Sequence, residues 1–143
     1  MTSNDFIESM LKECSHFRGC FHVENIPQTS PLYLPASFII YSKNHWTSVM
    51  MIDDKICLYF DSLAQGALDS RIINFLSSYS YIQVKCNKLK IQDDNSNLCG
   101  LFSILFVKSV SSIHHFINFL KLFHHRNLCV NDDIVTYLLN KFT

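Results

Sequence analysis

The sequence has no surplus of either charge, since twelve Lys and Arg stand against twelve Asp and Glu. Without a basic field there is no broad surface to hold nucleic acid, and without an acidic one no drive toward a solvated, disordered chain. A nucleic-acid role would need a local patch. The densest basic group is Lys85, Lys88 and Lys90, and a site with so few phosphate contacts is largely lost at physiological salt, so DNA binding is expected to be weak or absent. Also missing is any uncharged apolar run of the length, about 18 residues, that a membrane span needs. The start, MTSNDFIESMLKEC, lacks the basic and apolar stretches of a secretory signal. The six cysteines are irregularly spaced and include no C-x-x-C. That argues against a zinc ribbon and lends little support to a disulfide framework, so a reducing compartment is expected. Proline is scarce too. All three prolines fall between residues 17 and 35, together with Gly19, which marks an ordered connector with short extended pieces. No internal repeat or low-complexity tract occurs.

What is abundant is apolar residues, 48% of a 143-residue chain. That suffices for one core and is too short for two ordinary domains, so a single domain over 1–143 is expected. Residues 3–14 place Phe6, Ile7, Met10, Leu11 and Cys14 at helical spacing behind Thr2 or Ser3 as cap. SFIIYSK, HWTSVMMI and ICLYFDS read as strands, the last two joined as a hairpin through Asp53, Asp54 and Lys55. Residues 66–78 fit a helix and SYIQVKC a strand. GLFSILFVKSV is apolar on every side and predicts a buried central helix. Two further helices fit SIHHFINFLKLFHH and DDIVTYLLNKF, the latter with Asn131 as cap. This order predicts an α+β fold, an antiparallel sheet packed by helices.

A chemical question arises at IQDDNSNLCGLFSILF, residues 91–106. Cys99 stands at the first turn of the buried helix, where unpaired amides and the helix dipole favour thiolate over thiol. Gly100 removes a side chain that would crowd a substrate carbonyl, although glycine near a helix start is also ordinary on packing grounds. Taken alone, a cytosolic cysteine is more often a small buried hydrophobe. His45 stands just before the first hairpin strand and Asp61 ends the second, so the hairpin is expected to bring them opposite each other. A carboxylate there would fix the imidazole tautomer and stabilise its charged form. Alone, Asp61 reads as a turn or capping residue. Gln92 offers a neutral amide donor for an oxyanion, and Asn95 and Ser96 suit the turn into the helix.

The pattern Q-x-x-N-S-x-x-C-G-L-F at residues 92–102 resembles the active-site segment of the adenain-like cysteine proteases of adenoviruses and Polinton-like elements. His45-Trp46 is similar to the family's H-W, LYFDS at 58–62 to the strand bearing its acidic residue, and FRGCFHVENIP to its N-terminal F-x-G segment ending in proline. The likeness covers roughly residues 1–107. It implies a papain-like or adenain-like fold with the nucleophile at the N-terminus of a buried helix. It implies Cys99 as nucleophile, His45 as general base and acid, Asp61 as orienter and Gln92 as oxyanion donor, with Trp46 and Gly100 lining the substrate. Substrates would be viral or mobile-element precursor proteins cut near glycine, by a monomeric enzyme in the host nucleus or cytoplasm and in the virion. The cysteine that links the family's activating peptide has no counterpart at the matching spacing, Cys86 lying only in the same general strand, and a viral peptide activator added to a strand edge near Cys86 stays open as a partner. No cofactor is required by the sequence, and DNA stimulation is not expected.

SUMO-specific and ubiquitin-like-protein-specific proteases share H-W, Asp, Q and C-G, and they carry aspartate where adenain carries glutamate. Asp61 is like theirs, while Asn95-Ser96 is like the viral branch. A deconjugase for ubiquitin-like modifiers and a catalytically silent adaptor on the same fold stay open as alternatives. His114, His115, His124 and His125 lack acidic or thiol companions, and adjacent pairs point to different faces, so no metal site is expected. Cys14, Cys20, Cys57, Cys86 and Cys129 read as packing residues.

Overall fold

Ser3 starts the first helix, its hydroxyl accepting the Phe6 N–H at 3.2 Å. Helix α1 (Asn4–Leu11) buries Ile7 and Leu11, a narrower stripe than the apolar pattern predicts, because Phe6 is 43% exposed. The computed structural model describes residues 2–26, 33–65, 69–78 and 83–142. Pro27 and Pro31 of the expected connector, the start of the 66–78 helix and the start of the 80–86 strand lie outside the described residues.

Five strands follow in chain order: β1 (Phe17–His22), β2 (Ala36–Ser42), β3 (His45–Met51), β4 (Ile56–Phe60) and β5 (Gln83–Cys86). They form one sheet in the order β1-β2-β3-β4-β5. Strand β1 occupies the first part of the segment expected to be a connector. Gly19 adopts φ +131° within it, and the ladder to β2 slips between Phe17 and Cys20. That conformation strains any residue with a Cβ, so the glycine that looks like a breaker permits a bulge inside a strand.

The expected antiparallel sheet is corrected at both edges. β2, β3 and β4 pair antiparallel, whereas β1 pairs parallel with β2 and β5 parallel with β4. A parallel pair needs a long crossover to return the chain to the same end. Residues 23–35 supply one, and the segment carrying α2 (Ser70–Ser77) supplies the other. Between β2 and β3 the chain reverses at Lys43-Asn44, with φ of 53° and 61° and Ser42 opposite His45. Positive φ at both central residues matches the twist of the flanking strands. This tight reversal sets His45 at the very start of β3, on the rim of the sheet.

Both faces of the sheet are covered. One carries α1, α3 (Cys99–Ser109), α4 (Ile113–Leu120) and α5 (Asn131–Asn140) over a core that includes Met50, Leu58, Phe60, Phe102 and Phe106. On the other face, α2 supplies Ile72, Phe75 and Leu76 against Phe38, Val49 and Met51. Every residue of the central strand β3 is therefore buried. Helix α3 is buried from Phe102 through Val107, as its uniformly apolar sequence requires. Phe60 stacks on Phe106 at 5.2 Å and meets Phe119 edge-on at 5.2 Å. Such pairs contribute about 0.5–1.5 kcal/mol each beyond area burial. The strand that leads into Asp61 and the helix that begins with Cys99 are thus locked together by aromatic packing.

Asn131 does not cap α5 as the sequence suggests. A 3-10 turn at Leu128–Val130 runs straight into the helix, and the buried Asn131 side chain turns inward instead. Its Oδ1 accepts the His124 N–H at 2.8 Å, while its Nδ2 donates to the carbonyls of Ile91 at 2.7 Å and His124 at 2.8 Å. It ties the helical end of the chain to the segment carrying Gln92.

Candidate active site

His45, Asp61 and Cys99 come together at one end of the sheet, all at least nine-tenths buried. His45 Nε2 and Asp61 Oδ1 are 2.5 Å apart. His45 also interacts with Cys99, and each favours the charged form of the other. The Cys99 sulfur accepts the Trp46 backbone N–H at 3.5 Å, and the Gly100 amide favours its thiolate. Cys99 opens α3 without any side chain capping that helix, so the free amides and dipole of its first turn act on the sulfur.

Burial opposes every charge here. Burial alone would lower the His45 pKa, but hydrogen bonds to Asp61 and Cys99, reinforced by their charges, lift it to about 9. Burial would raise Cys99, yet the His45 bond, the Trp46 amide and the imidazolium charge hold it below the ordinary thiol value. Burial would likewise raise Asp61, and its His45 partner together with the Gln65 and Leu63 amides keeps it low. The arrangement favours a thiolate, an imidazolium and a carboxylate in a row.

A second Cys-His pair shows what the carboxylate contributes. Cys14 Sγ lies 3.1 Å from His16 Nε2, and His16 Nδ1 lies 2.8 Å from the Ser37 hydroxyl. Burial raises Cys14 and lowers His16, the latter helped by Arg18. Both shifts favour the neutral forms, the opposite of the directions at Cys99 and His45.

Asp61 is held by Asn87, a residue that no motif in the sequence marks. The Asp61 N–H donates to Asn87 Oδ1 at 3.0 Å, and Asn87 Nδ2 donates to the Asp61 carbonyl at 2.6 Å. An amide side chain thereby continues the β4–β5 pairing one step past its last rung, Tyr59–Cys86. Its one local signal is an uncharged amide directly after a strand, between Lys85 and Lys88. The Asp61 carboxylate accepts the Leu63 N–H at 2.9 Å and the Gln65 N–H at 3.1 Å, so the turn after β4 closes around it.

Gln92 is 2% exposed. Its Nε2 donates to the Ser96 carbonyl at 3.0 Å, and its Oε1 accepts from the Ser62 hydroxyl at 2.5 Å. Ser96 forms the expected turn, its N–H donating to the Asp93 carbonyl at 3.0 Å, and its hydroxyl donates to Asp132 at 2.7 Å. The Trp46 ring is 3% exposed and lies in the core; its Nε1–H donates to the Thr2 carbonyl at 3.0 Å. The Trp46 backbone N–H is the one that donates to the Cys99 sulfur. Gly100 faces Thr2 as well: a Cβ at position 100 would come within 2.5 Å of Thr2 Cβ. Close packing of the N-terminal segment is therefore a direct reason for glycine here.

A cleft of about 340 Å³ opens on the His45–Asp61 side, walled by Lys43, Thr47, Tyr59, Gln65 and Asp69 among others. Among the described residues, no group of three or more His, Cys, Asp or Glu could hold a metal ion, and no helix is long and apolar enough to cross a membrane. His115 bonds to Ser111 and His114 to Asn118.

No family model matches the chain, and no curated protein matches it. Solved structures do. The central domain of the uncharacterized Lpg1148 protein from Legionella pneumophila aligns with a TM-score of 0.49 at 12% identity, covering 87% of this chain and 84% of that one. The crystal structure of the ASFV pS273R protease aligns with a TM-score of 0.57 at 17% identity, over 80% of this chain. The match covers 60% of that protease's length. The chain thus has a mixed α/β fold that resembles the fold of a viral cysteine protease.

Proposed function

We propose that this chain is a cysteine endopeptidase of the adenain type, acting on viral or mobile-element precursor proteins near glycine. The observation that carries the reading is the imidazole of His45 bridging a depressed thiol and a buried carboxylate. The Cys99 thiolate attacks the peptide carbonyl carbon, and negative charge moves to the carbonyl oxygen. Donors for that oxygen are the Gln92 amide and the backbone N–H of Cys99. As the tetrahedral intermediate collapses, the C–N bond breaks and the His45 imidazolium gives its proton to the leaving amine. Neutral His45 then takes a proton from water, whose oxygen attacks the thioester. The acid product leaves, and the thiolate–imidazolium pair is restored. Asp61 keeps the imidazole in orientation through both steps.

The test combines labelling and digestion. A thiol alkylator should modify Cys99 ahead of Cys14, and the purified chain should cut a peptide library at glycine-containing sites, with Cys99→Ala folded and inactive. Full cleavage by folded Cys99→Ala would reject the assignment. Asp61, the acid that the SUMO-specific proteases share, favours a second reading as a deconjugase. Cleavage of modifier conjugates in preference to precursor peptides would select it.

A further inference from the structure

We infer that Ser62 is a positioning residue for the oxyanion donor, gripping the Gln92 amide so that one of its N–H bonds stays available to the substrate; this rests on the endopeptidase reading above. Ser62 is 1% exposed and holds Gln92 at two levels. Its carbonyl accepts the backbone N–H groups of Ile91 at 2.9 Å and Gln92 at 3.0 Å. Its hydroxyl donates to Gln92 Oε1 at 2.5 Å. At the opposite edge of the amide, Nε2 donates to the Ser96 carbonyl at 3.0 Å.

The two edges act differently. A carbonyl oxygen can only accept, so Ser96 draws the nitrogen edge of the amide toward itself. The oxygen edge must then face Ser62, whose hydroxyl can donate or accept and here donates. An amide primary nitrogen carries two N–H bonds. One goes to Ser96, and the other has no acceptor among the described residues. That second N–H is the one an oxyanion would use.

The last torsion of a glutamine side chain is intrinsically broad. Held by Ser96 alone, the amide would pivot about one bond and its free N–H would sweep an arc. The Ser62 hydroxyl supplies the second anchor. A donor stabilises a developing charge only in so far as it is already aligned when the charge appears, and small misplacements cost rate steeply. Ser62 also directly follows Asp61, so one dipeptide step at the end of β4 orients both the imidazole and the amide.

The experiment measures kcat and KM on a fluorogenic glycine-containing peptide for the full chain, Ser62→Ala, Ser62→Thr, Gln92→Ala and the Ser62→Ala/Gln92→Ala double variant, with thermal melts for each. Ser62→Ala is expected to lower kcat about tenfold at unchanged KM, a fraction of the roughly hundredfold or greater loss expected on removing the donor itself. Ser62→Thr, which keeps a hydroxyl, should recover most of that loss. The double variant should be no slower than Gln92→Ala. Wild-type kcat in Ser62→Ala beside a slow Gln92→Ala would overturn the role of Ser62 and leave the endopeptidase reading standing. Additive losses in the double variant would overturn it too. Absence of thiol-dependent turnover by the wild type would remove both readings. Should Ser62→Ala fail to fold, nuclear magnetic relaxation of the wild-type Gln92 side-chain amide decides. An order parameter near the rigid-backbone value of about 0.85 supports the grip, and one below about 0.6 overturns it.

Discussion

His45 Nε2 lies 2.5 Å from Asp61 Oδ1 although the two residues are not cross-strand partners. In the β3–β4 ladder Ser48 faces Phe60 and Val49 faces Tyr59. Continuing that register puts Thr47 opposite Asp61, with His45 two positions farther along. The contact is diagonal, spanned by the side chains, and it depends on Asn87 and the Leu63 and Gln65 amides fixing where the carboxylate sits. Asp61→Asn keeps the shape and removes the charge. We expect kcat/KM to fall by at least about tenfold and at most about ten-thousandfold, the upper figure being the effect of the analogous change in a serine-protease triad. A loss under about threefold would point to a different third member.

The pH dependence follows from the pair. His45, lifted from the ordinary 6.5 to about 9, contributes stability that is fully present below pH 6.5 and is lost as pH rises through about 9. Cys99, held below the ordinary thiol value of 9.0, contributes stability that is present above that value and is lost as pH falls through its own lowered pKa. Thiolate and imidazolium coexist between these limits. We expect a flat-topped kcat/KM profile whose basic limb lies near pH 9, with both limbs belonging to the pair rather than to single residues. In Asp61→Asn the basic limb should move to lower pH. A wild-type basic limb near 6.5 would show that the imidazole is not held charged.

Asn87→Ala leaves the buried Asp61 N–H without a partner, while the Asp61 carbonyl keeps the Ala64 N–H at 2.9 Å. Such an orphaned group costs about 1–3 kcal/mol, so urea denaturation should show a loss of about that size. Activity in the folded fraction should fall through kcat, because the displaced group orients the imidazole. A loss under about 0.5 kcal/mol would show that water replaces the amide.

Gly100→Ala drives a methyl group against Thr2, within 2.5 Å of its Cβ. Thr2 cannot stay in place, so the Trp46 indole loses its acceptor. We expect a fall in melting temperature of several degrees, on the basis of about 1–3 kcal/mol for overpacking. Thr2→Gly should restore much of it, and Thr2→Ser, which keeps the Cβ, should not. Equal rescue by both would place the clash elsewhere.

Much of this architecture is legible in local pattern. An apolar run without a polar face places α3 in the core, and its first residue is Cys99. β-branched and aromatic runs mark β2, β3 and β4, and the acidic turn marks the hairpin. Asp61 and Cys99, which the resemblance singles out, lie beside His45, because strand and helix ends are set by nearest neighbours along the chain. Tertiary structure alone decided the rest. The parallel edges depend on two long crossovers, and the diagonal His45–Asp61 contact depends on a hairpin register that alternation does not specify. Asn87, Ser62, Asn131 and Thr2 act through partners far away in sequence: Asp61, Gln92, Ile91 and Gly100. Propensity and periodicity report which face of an element is apolar. They carry no information about which buried amide or hydroxyl will find a given backbone group once the elements pack, and in this protein those pairings fix the geometry around His45, Asp61 and Gln92.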